Sequence, residues 1–231
     1  MAERLDKLLA NTGRWSRAEA KKVIRAGRVT AAGQVVTAPE GKWEPEEVAV
    51  DGESLGKKGL TYLMLYKPQG VVSATHDRRE RTVLELLPEE YQGLFPVGRL
   101  DKDTEGLLLL TDDGPLAHEL LSPRKHVAKV YRVTVAGELT GEDVRALSEG
   151  LALGDGLRCR PAELRLTDDP QVGLLTLHEG KFHQVKRMMA ALGKPVTALL
   201  RLSMGPLELD GALRPGQWRE LTPGERESLG R

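Results

Sequence analysis

The segment Gly98-Arg99-Leu100-Asp101-Lys102-Asp103-Thr104-Glu105-Gly106 crowds three carboxylates and two cations in front of the apolar run Gly106–Thr111. Arg99 and Asp101 are alternate residues, so an extended chain projects them to the same side. A carboxylate held in a loop at a sheet edge, flanked by cations, favours its ionised form and could serve as nucleophile or base. The same composition also suits an ordinary polar loop in which Asp103 or Thr104 makes local hydrogen bonds. Tyr131, in Lys129-Val130-Tyr131, lies inside an alternating run that reads as a strand. Most tyrosines so placed pack in a core. A catalytic or base-stacking role requires Tyr131 to line the same cleft as Asp101, which the sequence leaves open. A third segment, Glu179-Gly180-Lys181-Phe182-His183-Gln184-Val185-Lys186-Arg187, opens a helix after a strand. A helix N-terminus with added Lys, Arg and His suits phosphate. Its apolar face, formed by Phe182, Val185, Met188 and Met189, is expected in the core, and His183 fits an ordinary hydrogen-bonding role equally well.

Other chemistries find little support. The five histidines are scattered, Cys159 is the single cysteine, and no His-Glu-x-x-His pattern occurs. Phosphate-loop and dinucleotide glycine signatures are missing as well. The expectation is therefore no metal, nucleotide or redox cofactor, and chemistry that a carboxylate can run alone.

The elements that must position these residues can be read in outline. With 231 residues, 40% apolar and 29% charged, the chain can bury one large core or two modest ones. No run approaches a membrane span, and the N-terminal residues lack a signal-peptide core, so a cytoplasmic protein with no membrane partner is expected. Net charge is zero, yet residues 1–30 hold eight basic and three acidic side chains, a net +5 that leaves −5 for the rest. Such asymmetry points to a basic module able to meet phosphate. Within it, Leu5, Leu8 and Leu9 share a helical face that Gly13 would end. Ser16-Arg17-Ala18-Glu19 reads as a capping box, and Ala20, Val23 and Ile24 continue an apolar stripe. Val29-Thr30 and Val35-Val36 flank an Ala32-Gly33 turn as a hairpin. Residues 51–60 read as a linker, which divides the chain into domains 1–60 and 61–231. Beyond the linker, strands are expected at Thr61–Leu65, Gly106–Thr111, Val130–Val135, Leu174–Leu177 and Leu199–Leu202. Short helices are expected after Pro115, over Thr140–Ser148 and over Phe182–Leu192, with Ser122-Pro123 closing the first. This pattern predicts an α+β fold with a mixed, largely antiparallel sheet.

Taken together and in this order, these residues resemble the RsuA family of pseudouridine synthases. The resemblance rests on Gly98–Thr111, Lys67-Pro68-Gln69-Gly70, Ser122-Pro123-Arg124, Lys129-Val130-Tyr131 and Glu179–Met188. Arg4-Leu5-Asp6-Lys7, Ser16-Arg17 and Gly27-Arg28-Val29 resemble an S4 RNA-binding domain. The chain departs from the family pattern at Tyr66, Ala128 and Ala32. The resemblance implies isomerisation of uridine to pseudouridine in 16S rRNA, at uridine 516 of standard rRNA numbering; the alternatives are the same reaction on 23S rRNA and a non-catalytic S4-domain RNA-binding or ribosome-assembly factor. It implies Asp101 as the catalytic carboxylate, Tyr131 under the target base, and Lys186 paired with Asp101, with Arg187 as substitute. Arg99 would help hold the flipped nucleotide. Arg4, Lys7, Ser16, Arg17, Lys21, Arg28, Lys129, His183 and Arg187 are the expected RNA contacts. A monomer binding free or partly assembled small-subunit rRNA is the expected working form.

Overall fold

The computed structural model describes the chain except for Met1, Gly13, residues 56–59 and Pro123. Two units separate at the 60/61 boundary. In the first, β1 (Glu3–Arg4) leads into α1 (Leu5–Asn11), which buries Leu5, Leu8 and Leu9. The expected stop at Gly13 lies outside the described residues; Thr12 caps the helix. Ser16 caps α2 (Arg17–Arg25) as predicted: its hydroxyl accepts from the Glu19 amide at 3.3 Å, and its own amide donates to the Glu19 carboxylate at 2.8 Å. Ala20, Val23 and Ile24 are buried, while Lys22 and Arg25 are exposed. The hairpin of β2 (Val29–Ala31) and β3 (Gln34–Val35) turns at Ala32 (φ 48°) and Gly33 (φ 77°). Both central residues of such a two-residue turn take positive φ.

β4 (Lys42–Trp43) pairs with β1, and β5 (Val48–Val50) with β6 (Glu53–Ser54) completes a second sheet of order β3-β2-β5-β6. The linker expectation needs correction here. Asp51-Gly52 turns the β5–β6 hairpin, and the Leu55 amide donates to the Val48 carbonyl. Leu55 packs on the unit's apolar core. The remainder of the expected linker, residues 56–59, lies outside the described residues.

The second unit is built on a nine-stranded sheet. Its strands are β7 (Tyr62–Lys67), β8 (Phe95–Pro96), β9 (Glu105–Thr111), β10 (Lys129–Val135), β11 (Glu163–Leu166), β12 (Val172–Leu177), β13 (Val196–Met204), β14 (Leu207–Glu208) and β15 (Trp218–Glu220). The order is β11-β12-β10-β13-β9-β7-β15, with β8 on β9 and β14 on β13. The β9–β13 pair is parallel and the other pairs are antiparallel, so the α+β class with a mixed, largely antiparallel sheet holds. The unbroken leucines of β9 reflect burial on both faces. Leu108 and Leu110 join Leu63, Leu65, Val133 and Leu175 on one side, whereas Leu107 and Leu109 join Tyr62, Met64 and Met204 on the other.

Short helices flank these strands: α3 (Gly114–Leu121), α4 (Gly141–Glu149), α5 (Gln184–Ala191) and α6 (Pro223–Ser228). Asp113 caps α3 ahead of Pro115, and Thr140 caps α4 through a box with Asp143. Pro123, expected to close α3, lies outside the described residues. The helix expected over 182–192 begins only at Gln184. Among the described residues, no helix is long and apolar enough to cross a membrane, and no cluster of His, Cys, Asp and Glu could hold a metal ion.

Candidate active site

The loop that leads into β9 is organised by a buried ammonium. Strand alternation puts Lys67 in phase with Leu63 and Leu65, and it is fully buried. Its Nζ donates to the carbonyl oxygens of Thr104 at 2.8 Å, Asp101 at 3.0 Å and Pro68 at 3.0 Å, with Lys102 O at 3.5 Å. Burial pushes its pKa down to about 8, against the opposing pull of the Asp103, Asp101 and Glu105 carboxylates. Ser73 Oγ donates to the Leu100 carbonyl and accepts from the Leu100 amide, both at 3.0 Å. Leu100 is buried between exposed Arg99 and partly exposed Asp101, as the predicted alternation requires. The chain then turns, closed by the Thr104 amide on the Asp101 carbonyl at 3.1 Å.

Gly106 starts the apolar part of β9 at φ 109°, and it faces Arg201 of the parallel strand β13. A Cβ there would lie 2.3 Å from the Arg201 carbonyl oxygen, so only glycine lets the two backbones meet. Arg201 is itself buried, and its Nε donates to the Leu107 carbonyl at 2.8 Å. The buried side-chain polar atoms without a partner among the described residues are Arg201 Nη2 and Thr104 Oγ1, both beside this junction.

Helix α5 and the residue that precedes it, His183, supply the groups that face Asp101. Lys186 Nζ lies 3.2 Å from Asp101 Oδ2 and 2.5 Å from Asp103 Oδ1, and His183 Nε2 lies 3.5 Å from Asp101 Oδ1. One ammonium therefore serves two carboxylates. Burial alone would lower the Lys186 pKa, but hydrogen bonds to Asp103 and Asp101 outweigh it and raise the value. The same Lys186 hydrogen bond holds Asp103 below the usual carboxylate range. Arg187, named as substitute partner of Asp101, instead binds Asp155 at 2.5 Å.

Tyr131 sits in β10 opposite Arg201 on one side and Leu175 on the other. It shares one apolar cluster with Leu100 and Val185, the residues that precede Asp101 and Lys186. Asp101 and Lys186 are thus each one residue along the chain from the cluster that holds Tyr131.

One expectation is corrected at α5. Val185, Met188 and Met189 form the buried face, but Phe182 is 76% exposed. His183 takes a left-handed conformation (φ 48°, ψ 35°) that interrupts the helix before Phe182, and buried Gln184 bonds to the Lys181 amide and the Glu179 carboxylate. Lys129, expected to reach RNA, is partly buried. Its Nζ donates to the Val127 carbonyl at 3.1 Å, and burial together with the Arg201 charge lowers its pKa.

In the first unit the cations are sorted by carboxylates. Asp6 is fully buried and accepts twice from Arg4 at 3.1 Å, with Arg17 at 3.5 Å and Lys21 at 3.9 Å. The hydrogen bond from Arg4 is the main cause that lowers the Asp6 pKa. Arg4, Arg17 and Lys21 therefore gather around one site. Three other expected contacts have separate partners: Lys7 pairs with Glu3, Arg28 with Asp51, and the Ser16 hydroxyl with its helix cap.

Lys67, Ser73 and Asp103 are site residues whose roles the sequence reading did not draw. A signal existed for Lys67 alone: a charge in phase with leucines on a buried strand demands a polar partner. Nothing local marks Ser73, which meets Leu100 across 27 residues.

Residues 61–191 match the model of the RNA pseudouridylate synthase family, and residues 3–43 match that of the S4 domain. A Bacillus subtilis protein called an uncharacterized RNA pseudouridine synthase is 49% identical over 98% of this chain and 98% of its own. The ribosomal small subunit pseudouridine synthase A of Escherichia coli strain K12 is 42% identical over 98% of this chain and 99% of its own. A crystal structure of a pseudouridylate synthase superposes with a TM-score of 0.70 at 38% identity, covering 98% of this chain and 99% of that one.

Proposed function

Since the chain belongs to the RNA pseudouridylate synthase family, we propose that it acts on 16S rRNA, at uridine 516, with Asp101 as the catalytic carboxylate. The observation that carries the residue assignment is Asp101 set 3.2 Å from Lys186, in a loop tied to the sheet by buried Lys67. The choice of small-subunit rRNA is supported by the likeness to ribosomal small subunit enzymes across both units.

The chemistry is an internal exchange. The N1–C1′ glycosidic bond breaks, the uracil turns without leaving, and a C5–C1′ bond forms. The proton lost from C5 is matched by one gained at N1, so no oxidant or reductant is consumed. Asp101 would engage the sugar or the base in this exchange, as carboxylates do against the related transition state of glycosidases. Lys186 would hold the carboxylate in place, and Tyr131 would lie against the uracil. The target must leave its stack, which costs a few kcal/mol. Contacts from Arg99 to the extruded nucleotide, and from Arg4, Arg17 and Lys21 to phosphates, would offset that cost.

The test is tritium release from 16S rRNA labelled at uridine C5, naked and in partly assembled particles. Wild-type protein should release the label stoichiometrically. Asp101→Asn should release none while binding the same RNA with little change. A mutant that keeps the wild-type rate refutes the assignment of Asp101. Release confined to 23S rRNA refutes the target.

A further inference from the structure

Phe182 combines exposure with position. It is the most exposed of the large apolar side chains described, whereas Phe95, the other phenylalanine, is partly buried. One face of its ring lies on the His183 imidazole, with centroids 3.8 Å apart and planes inclined by 19°. His183 in turn reaches Asp101 at 3.5 Å. The phenyl ring is therefore one side chain removed from the carboxylate.

This arrangement is not what packing alone would select. Helical phase from Val185, Met188 and Met189 extends towards residue 182, and the left-handed His183 breaks that continuation. A non-glycine residue in this conformation is strained, and such strain concentrates at functional sites. The result is a flat apolar surface beside the site that water covers poorly.

Resting on the function proposed above, we infer that Phe182 is a stacking platform for an unpaired RNA base next to the target uridine. Extruding a uridine leaves its neighbours without a stacking partner, and an aromatic plane at the mouth of the site can replace it. Stacking tolerates any base, because each presents a π-face. Phe182 would then position the RNA strand while Asp101 addresses the extruded nucleotide. It is a positioning residue and takes no part in bond making.

The test compares Phe182→Ala, Phe182→Leu and Phe182→Tyr in the full chain, using kcat/KM for tritium release from C5-labelled 16S rRNA. Thermal melts accompany each variant. Alanine and leucine should each lose about tenfold, the worth of one base stack. Tyrosine should stay near wild type, and all three melts should coincide, since an exposed ring adds little to the core. An alanine variant within about twofold of wild type overturns the platform. Leucine performing as well as tyrosine also overturns it, because greasiness rather than an aromatic plane would then suffice. Wild-type protein that releases no label from 16S rRNA sinks the rRNA reading itself, whereas active wild type with an unaffected alanine variant sinks the platform alone.

Discussion

Replacing Lys67 by methionine keeps the side-chain length and removes the charge. Three carbonyl oxygens, of Pro68, Asp101 and Thr104, would lose a charged donor at 2.8–3.0 Å. At about 1.5–2 kcal/mol each, the loss is about 5 kcal/mol. Against it stands the relief of no longer burying an ammonium. The fall of the Lys67 pKa from 10.5 to about 8 puts that relief at roughly 3 kcal/mol. The net expectation is a destabilisation of about 2 kcal/mol, measured by urea denaturation at pH 7. Turnover should fall much further than stability, because the untied carbonyls belong to the loop that carries Asp101. The pH dependence adds a sign. The folded pKa lies below the unfolded one, so the native state sheds this proton first. The burial penalty is complete below about pH 8 and is relieved as pH rises towards 10.5. Wild-type stability relative to the methionine variant should therefore rise across that window. A variant with wild-type turnover, or a stability difference independent of pH, refutes the reasoning.

Two further predictions concern the frame. Hydrogen bonds from Arg219 hold the Glu225 pKa at about 2, below its ordinary 4.5, which after solvent screening corresponds to about 1 kcal/mol of stability. Because the folded value is the lower one, this stability is complete above about pH 4.5 and is lost as pH falls through about 2. Glu225→Gln should lower the urea midpoint at pH 7 and flatten the acid limb; parallel pH profiles for the two proteins would contradict this. Gly106→Ala places a methyl 2.3 Å from the Arg201 carbonyl oxygen at φ 109°, so a loss of about 3 kcal/mol is expected on denaturation. Near-wild-type stability would mean that β9 and β13 need not approach so closely.

Much of this protein is written in local patterns. The Ser16–Glu19 and Thr140 caps, the Ala32-Gly33 turn and the buried leucine run of β9 follow from residue types and spacing, because each depends on neighbours within a few residues. The chemistry-bearing segments around Asp101, Tyr131 and Lys186 were visible for the same reason, and family resemblance supplied their roles. Pairings between distant segments were not visible. Lys67 meets the Asp101 carbonyl across 34 residues, and Lys186 meets Asp103 across 83. Which carboxylate claims which cation is decided by geometry: Arg187 goes to Asp155, and three cations converge on Asp6. Phe182 shows the limit most clearly. Periodicity assigned it to a core, but one left-handed residue changes the direction of the chain, and backbone strain of that kind persists only where tertiary contacts hold it in place.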